Sequence, residues 1–128
     1  DCGQAYAGLA TIRQQRGEYS AAFDMYLRSL QLDTDNLVAL LGLFQVSRQM
    51  QSFSQIIHYL EIYREKHPTD TSVLLCLATL YAREGRHDES RGVLVEILER
   101  DPDKPQVAKL LEEVENAIAK SRYTGGGF

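Results

Sequence analysis

The side chains best suited to metal binding or redox chemistry are few and scattered along this 128-residue sequence. The three histidines, His58, His67 and His87, are not three or four residues apart, the spacing that places two metal ligands on one helix face. Their positions are typical of surface or turn histidines. Cys2 and Cys76 form no recognisable disulfide framework or metal motif, so we expect both to be free thiols. The sequence therefore predicts no metal site.

Other reactive groups are equally poorly placed for catalysis. Gly125, Gly126 and Gly127 open no predicted helix, and so do not form the Gly-rich loop that cradles a phosphate. Glu112 and Glu113 lie on the polar side of a predicted helix, where carboxylates are solvated. The pattern brings no nucleophile, base and orienting group together. We therefore expect no enzymatic activity and no cofactor.

Composition narrows the class of partner. Apolar residues make up 44% of the sequence and charged residues 25%, as in soluble globular proteins. The formal net charge is -4 without a cluster of Lys and Arg, which argues against nucleic acid as a partner. The longest apolar run, residues 37–41, is too short to enter and cross a membrane. The sequence begins with Asp1 and has no signal peptide, so we expect a processed product or a piece of a longer protein. The compartment stays open, with the cytoplasm slightly favoured.

The strongest pattern in the chain is a repeat of 34 residues. Apolar residues recur at this interval in three sets: Leu9, Leu43 and Leu77; Tyr6, Leu40 and Leu74; and Tyr26, Leu60 and Leu94. Pro68 and Pro102 are separated by the same interval. Gly17 and Gly85 are separated by twice that interval, each where a helix must end and the chain reverse. A fixed period of this length indicates stacked helix-turn-helix units.

Helical spacing of the apolar residues predicts two helices in each unit. The predicted helices lie at about 4–16, 19–32, 37–50, 53–66, 71–84 and 87–100, in repeats of about 3–36, 37–70 and 71–104. Pro105 fits the first position of a capping helix that ends near residue 120. We expect residues 121–128 to be a flexible Gly-rich tail. The prediction is an all-α solenoid of three repeats and a C-terminal cap, with seven helices in total.

The residues of this unit resemble the tetratricopeptide repeat (TPR). The first unit matches at Tyr6, Leu9, Ala10, Gly17, Tyr19, Ala22, Tyr26 and Ser29, and the third at Leu74, Leu77, Ala78, Tyr81, Gly85, Ser90, Leu94, Ile97 and Pro102. The resemblance covers about residues 3–120. It implies the repeat fold and a role in binding proteins, but leaves the partner open.

The middle unit departs from the family pattern. Where the two helices of a repeat approach through small residues, the outer units carry Ala10 with Ala22 and Ala78 with Ser90. The middle unit carries Phe44 and Ile56, which predicts that its two helices are held further apart, unless Phe44 turns into the next interface. Arg13 stands where Tyr81 stands in the third unit, which predicts an N-terminal face that is wet or covered by something upstream.

The resemblance assigns partner binding to a concave groove formed by the first helices of the units. The corresponding groove positions are Ala7, Gly8, Thr11, Val38, Leu41, Gly42, Gln45, Arg48, Ser72, Leu75, Cys76, Thr79 and Arg83. Among them, Val38, Leu41 and Leu75 make an apolar floor that suits an amphipathic helix or an extended apolar peptide. Where chaperone-binding relatives hold a terminal carboxylate with Lys, Asn and Arg, this sequence has Ala7, Thr11, Gly42, Ser72 and Cys76, so that carboxylate clamp is absent.

The residues at some groove positions have two possible roles. The small residues Gly8, Gly42 and Cys76 form one row, which either admits a ligand backbone or relieves crowding between helices. Arg48 and Arg83 either steer an acidic flank of the partner or are solvated charges at the rim.

These observations favour a non-enzymatic protein-interaction module that scaffolds assembly by holding a peptide segment of a partner. The alternatives are a small secretion-system chaperone that sequesters an export substrate, and a regulatory TPR domain of a larger protein. The tail adds one more hypothesis. Tyr123 and Phe128 flank its glycines and are candidates for docking into the groove of a partner or of a second copy, unless the tail is disordered.

Overall fold

The computed structural model describes residues 2–125, with side chains described for residues 2–122, and this part of the chain consists of seven α-helices without a strand. The helices are α1 (Cys2–Gln15), α2 (Tyr19–Leu32), α3 (Leu37–Met50), α4 (Ser54–Lys66), α5 (Thr71–Arg83), α6 (His87–Arg100) and α7 (Pro105–Gly125). The first six agree with the predicted bounds to within two residues. The all-α prediction is confirmed.

Helix α7 is longer than its sequence suggested. It continues past residue 120 to Gly125, so the first five residues assigned to a flexible tail are helical. Ser121 and Arg122 have ordinary helix propensity, and they extend the helix in the absence of a Pro or an early Gly. The proposed docking of Tyr123 and Phe128 concerns side chains outside the described residues.

The helices pack in two units, Asp1–Lys66 with α1 to α4, and His67–Phe128 with α5 to α7. In the first unit α1 packs on α2, and α2 packs on α3. In the second unit α5 packs on α6, and α6 packs on α7. In both units the second helix of a hairpin lies against the first helix of the hairpin that follows, or against the cap.

Polar side chains fix where α3 and α5 begin. The side chain of Asn36 accepts a hydrogen bond from the Ala39 backbone N–H at 3.0 Å, and Asp70 accepts one from Val73 at 3.3 Å. Each bond satisfies a donor that the first turn of the helix would otherwise leave unpaired. The capping predicted from the inter-repeat turns is therefore present at both helices.

The three hairpin turns share one backbone conformation. Gly17 and Gly85 have φ of 79° and 78°, in the left-handed region that glycine adopts without steric cost. Gln51 takes the same place in the middle turn with φ of 55°. It is the single non-Gly residue with positive φ in the described chain. A side chain in this region costs on the order of 1 kcal/mol, so the middle turn is the least favourable of the three.

The middle hairpin is more open than its neighbour. Helices α3 and α4 approach closely over a much shorter length than α1 and α2 do. Ile56 is fully buried and Phe44 is half-buried, whereas Ala10 and Ala22 of the first hairpin are both fully buried. The shorter close approach of α3 and α4 agrees with the predicted separation of the second helix pair.

Candidate partner-binding site

The most exposed aliphatic side chains among the groove positions lie on the first turns of α3. Val38 is 63% exposed and Leu41 is 40% exposed, and their neighbour Leu37 is also 40% exposed. The three to four residue spacing places them on one side of the helix. We call these three residues the groove patch. A cluster of exposed aliphatic side chains is typical of a surface that binds another molecule.

A buried tyrosine links α1 to the groove positions of α3. Tyr26 of α2 is 2% exposed, and its hydroxyl donates to Gln14 Oε1 at 2.6 Å. The same hydroxyl lies 3.2 Å from Thr11 Oγ1. Gln14 Nε2 in turn donates to Gln45 Oε1 at 2.8 Å. Polar side chains of α1 and α3 are thus held in fixed positions next to one another by a residue of the second helix.

Gly42 is explained by packing against that tyrosine. A Cβ atom added to Gly42 would lie 2.2 Å from Tyr26 Cζ and 2.6 Å from its hydroxyl oxygen. Any larger residue here would push the ring out of its position. Gly42 is also buried, so it presents no side-chain surface to a partner. Its neighbours in the predicted row differ, because Gly8 is exposed and Cys76 is a half-buried cysteine that forms no disulfide.

The other groove positions of the first unit are mixed in character. Ala7 is buried, and its carbonyl accepts a hydrogen bond from the Thr11 hydroxyl at 3.0 Å. Ala7 therefore belongs to the core. Arg48 is exposed, with its guanidinium carbon 5.8 Å from the centre of the Phe44 ring. That contact holds the cation near the C-terminal end of α3.

In the second unit the groove positions lie beside the start of the cap. Ser72 is exposed and Leu75 half-buried, and both line a pocket of about 500 Å³. The remaining lining residues are Thr71, Asp103, Lys104, Pro105, Gln106 and Val107. Thr79 and Arg83 are exposed further along α5, with Thr79 Oγ1 donating to the Leu75 carbonyl at 2.8 Å. The pocket offers both apolar and polar surface to a side chain.

Sequence reasoning missed residues in both units. Tyr26 and Gln14 were not expected at the groove, yet they position Gln45 there. The sequence does contain one signal for this contact, the combination of a tyrosine at position 26 with a glycine at position 42. The third unit has the aliphatic Leu94 in the place of Tyr26. Lys104 was missed because it lies in a connection before the cap, outside the repeat pattern.

No other kind of site emerges from the described part of the chain. No group of three His, Cys, Asp or Glu side chains among these residues could hold a metal ion. None of the helices in the described range has the length and apolar character that spanning a membrane requires. His58 lies against Tyr59, with ring centroids 5.2 Å apart.

The family model for the tetratricopeptide repeat matches residues 47–114, which is more than half of the chain. This chain belongs to the TPR family. The match spans α4 to α6 entirely, together with the end of α3 and the first part of α7. No curated protein sequence matches the TPR chain.

Solved structures share its fold at low sequence identity. The first TPR of Spaghetti (RPAP3) bound to an HSP90 peptide aligns with a TM-score of 0.74 and 14% identity, covering 92% of this chain and 94% of that one. The type III secretion chaperone SycD of Yersinia enterocolitica, in complex with a peptide of the translocator YopD, aligns with a TM-score of 0.63 and 19% identity, covering 95% and 93%. Yeast Tom70 aligns with a TM-score of 0.80 and 18% identity, covering 98% of this chain and 26% of Tom70. At these identities the likeness establishes the fold.

Proposed function

We propose that this TPR chain is a non-enzymatic interaction module that binds an apolar or amphipathic peptide segment of a partner at its groove positions. The observation that carries the proposal is the groove patch, because Val38 and Leu41 remain exposed on α3 while Leu40 and Leu43 of the same helix are fully buried. The Spaghetti and SycD structures each contain a peptide, which supports peptide binding as the use of this fold.

The energetics favour an aliphatic contact fixed by a few hydrogen bonds. Covering the exposed part of Val38 and Leu41 contributes roughly 1 kcal/mol for each side chain, given about 25 cal/mol per Å² of apolar surface. Gln45 would also orient the bound peptide. Its carbonyl oxygen accepts from Gln14, which leaves the amide nitrogen of this exposed residue to donate to a peptide carbonyl. An apolar segment with an accessible backbone would satisfy both features.

The test is affinity capture with mass spectrometry, comparing the unmodified chain with the double variant Leu41→Glu and Leu75→Glu. We expect the variant to keep its helical circular dichroism and to lose the captured partner, since two carboxylates would be desolvated against apolar surface. Leu32→Glu is the control, because this aliphatic residue is 56% exposed and lies outside the groove positions. Unchanged capture by a folded Leu41/Leu75 variant would show that the proposal is wrong.

The groove positions also predict which peptide this chain rejects. The peptide in the Spaghetti structure, SRMEEVD, is acidic at its C-terminal end. Here the rows that hold a terminal carboxylate in chaperone-binding relatives carry Ala7, Thr11, Gly42, Ser72 and Cys76, none of which is a cation. We expect no binding of SRMEEVD by fluorescence anisotropy at peptide concentrations up to about 1 mM, which corresponds to a binding free energy weaker than about -4 kcal/mol. Micromolar binding would contradict this account of the groove.

A small chaperone for an export substrate is the second candidate. It is favoured by the near-complete mutual coverage with SycD, a secretion chaperone of similar length. Expressing the captured partner alone distinguishes the two functions. A partner that is insoluble without this chain supports the chaperone, whereas a stably folded free partner supports the scaffold. A regulatory domain of a larger protein is the third candidate, supported by a partner that carries catalytic activity and changes it on binding.

A further inference from the structure

One side of α1 is apolar and exposed, although the same side of the other first helices is buried. Leu9 is 50% exposed and Ile12 is 46% exposed, and Ala5 on the same side is also exposed. We call Ala5, Gly8, Leu9 and Ile12 the α1 end face. Leu9 is thus exposed, although Leu43 and Leu77 at the equivalent places of the repeat are fully buried.

The repeat period shows that the equivalent faces of α3 and α5 are buried. The residues one period later are Ala39, Leu43 and Val46, and two periods later Val73, Leu77 and Leu80; all six are at most 1% exposed. The α1 end face thus has the composition of a buried inter-helix surface. Two aliphatic residues that expose about half of their surface leave hydrophobic stabilisation unused, roughly 1 kcal/mol for each. Isolated exposed apolar residues need no explanation, but a set in register with buried counterparts does.

The first unit itself shows which kind of element covers such a face. Helix α2, the second helix of a hairpin, packs on α3. At the centre of that contact the Tyr26 ring occupies the space beside Gly42, where a Cβ would come within 2.2 Å of the ring. The cover is thus a helix that carries a large side chain opposite a glycine.

Gly8 is the counterpart of Gly42, one period earlier. No atom lies within 4 Å of a Cβ added to Gly8, so nothing in the described structure accounts for glycine there. A glycine inside a helix costs about 1 kcal/mol relative to alanine. The α1 end face therefore has, beside Gly8, the same kind of space that the Tyr26 ring fills beside Gly42 on α3.

We infer that the α1 end face binds the second helix of another TPR-type hairpin, which places an aromatic or other large side chain over Gly8. A second copy docked through its own α1 is a weaker occupant. Helix α1 has no acidic residue and the exposed Arg16 follows its last turn, so a parallel pair would oppose like charges. This inference is independent of the groove and of its peptide.

The first test supplies the occupant covalently. A copy of residues 1–34 is inserted directly before residue 1 of the full chain, which preserves the 34-residue period and places the copied α2 next to α1. We expect hydrogen exchange in α1 to slow at least tenfold and thermal unfolding to stay cooperative.

The decisive measurement is the effect of one substitution, Gly8→Ala, on Tm, which should have opposite signs in the two chains. Gly8→Ala should raise Tm by about 3–4 °C in the unextended chain, where the space is open, and lower it in the extended chain, where Tyr26 of the copy takes that space.

Two matched pairs show whether the effect belongs to this face. Leu9→Gln with Ile12→Gln should leave Tm nearly unchanged in the unextended chain and lower it clearly in the extended one. Val38→Gln with Leu41→Gln, equally exposed but on the groove patch, should have the same small effect in both chains. Equal effects of Gly8→Ala in the two chains would overturn the inference. So would a dimer of the unextended chain, seen by sedimentation, that Leu9→Gln with Ile12→Gln dissociates, because the occupant would then be a second copy.

A second measurement does not depend on folding of the extended chain. A synthetic peptide of residues 18–36, which carries the α2 sequence, is titrated into the methyl-labelled full chain. Shifts of the Leu9 and Ile12 methyl resonances, with the Val38 and Leu41 methyls unchanged, support the inference. Shifts confined to Val38 and Leu41, or no shift at millimolar peptide, contradict it.

Discussion

The two hairpins of the first unit have nearly the same helix lengths but are closed differently. Helices α1 and α2 approach through Ala10 and Ala22, both fully buried. Helices α3 and α4 have Phe44 and Ile56 at those positions and approach closely over a shorter length. The comparison teaches that the 34-residue period fixes where the helices are, whereas two side chains fix how closely a pair of helices can pack.

The turns of the two hairpins also differ, and again the middle hairpin is the less favourable one. In the first turn Arg13 donates to Glu18 at 2.7 Å across the left-handed residue. The same two places in the middle turn hold Ser47 and Ser52, joined through the backbone at 3.1 Å. The Ser47 hydroxyl is buried without a hydrogen-bond partner. The middle hairpin therefore has a less favourable turn as well as a wider separation.

Transplanting the middle pair into the first hairpin should have the largest effect. Ala10→Phe with Ala22→Ile overfills a fully buried contact, so we expect a loss of about 3 kcal/mol or more in the free energy of unfolding, measured by urea denaturation. Ala22→Ser is the control, because Ser90 takes that place in the third hairpin and donates to the Ala78 carbonyl at 2.7 Å. A transplant that unfolds like the unmodified chain would show that small residues do not set the separation.

Gly42→Ala should be the next largest change, because it acts where the two hairpins meet. Its Cβ would displace the Tyr26 ring, and overpacking of this kind costs about 1–3 kcal/mol. Combining it with Tyr26→Leu should recover part of the loss by shortening the side chain. Urea denaturation of both variants checks this. If Gly42→Ala is neutral and the Tyr26 ring resonances do not move, the packing explanation for Gly42 fails.

Replacing each of three fully buried serines by alanine should change the free energy of unfolding by a smaller amount, with a sign that depends on the position. Ser47→Ala removes a hydroxyl without a partner, so we expect a gain of about 1 kcal/mol in the free energy of unfolding. Ser29→Ala should lose about 1 kcal/mol, because its hydroxyl donates to the Gly3 carbonyl at 2.6 Å. Ser90→Ala should lose a similar amount. Thermal denaturation of the three variants tests the order, and a loss for Ser47→Ala would indicate a hydrogen bond that helps to close the middle hairpin.

The smallest effect concerns pH. The hydrogen bond from Arg13, with Coulomb attraction to Arg13 and Arg16, lowers the pKa of the Glu18 carboxyl below its ordinary 4.5. A lowered folded-state pKa stabilises the fold above about pH 4.5, and this contribution is lost as the pH falls through the folded-state value. Glu18→Gln should therefore lower Tm slightly at pH 7 and leave it unchanged at pH 3. An equal difference at both pH values would mean that the charge of Glu18 is not responsible.

Sequence patterns were most reliable for local features. Apolar spacing predicted the helices, and residues such as Asn36 and Gly17 predicted the ends of helices, because capping and backbone conformation depend on a few neighbouring residues. The bulk of Phe44 and Ile56 was also informative, since the repeat gives them the places of Ala10 and Ala22. The candidate site was predicted less completely. Val38 and Leu41 are exposed as expected, but Ala7 and Gly42 are buried.

The sequence by itself determined the all-α class and the repeat register. Only the tertiary structure decided which equivalent positions are covered. Leu9 and Leu43 are the same residue in the same register, yet one is half exposed and the other fully buried, because burial depends on the helix that lies against each of them. The role of Gly42 was likewise decided by Tyr26, which is distant in sequence and reaches it only after α2 packs on α3.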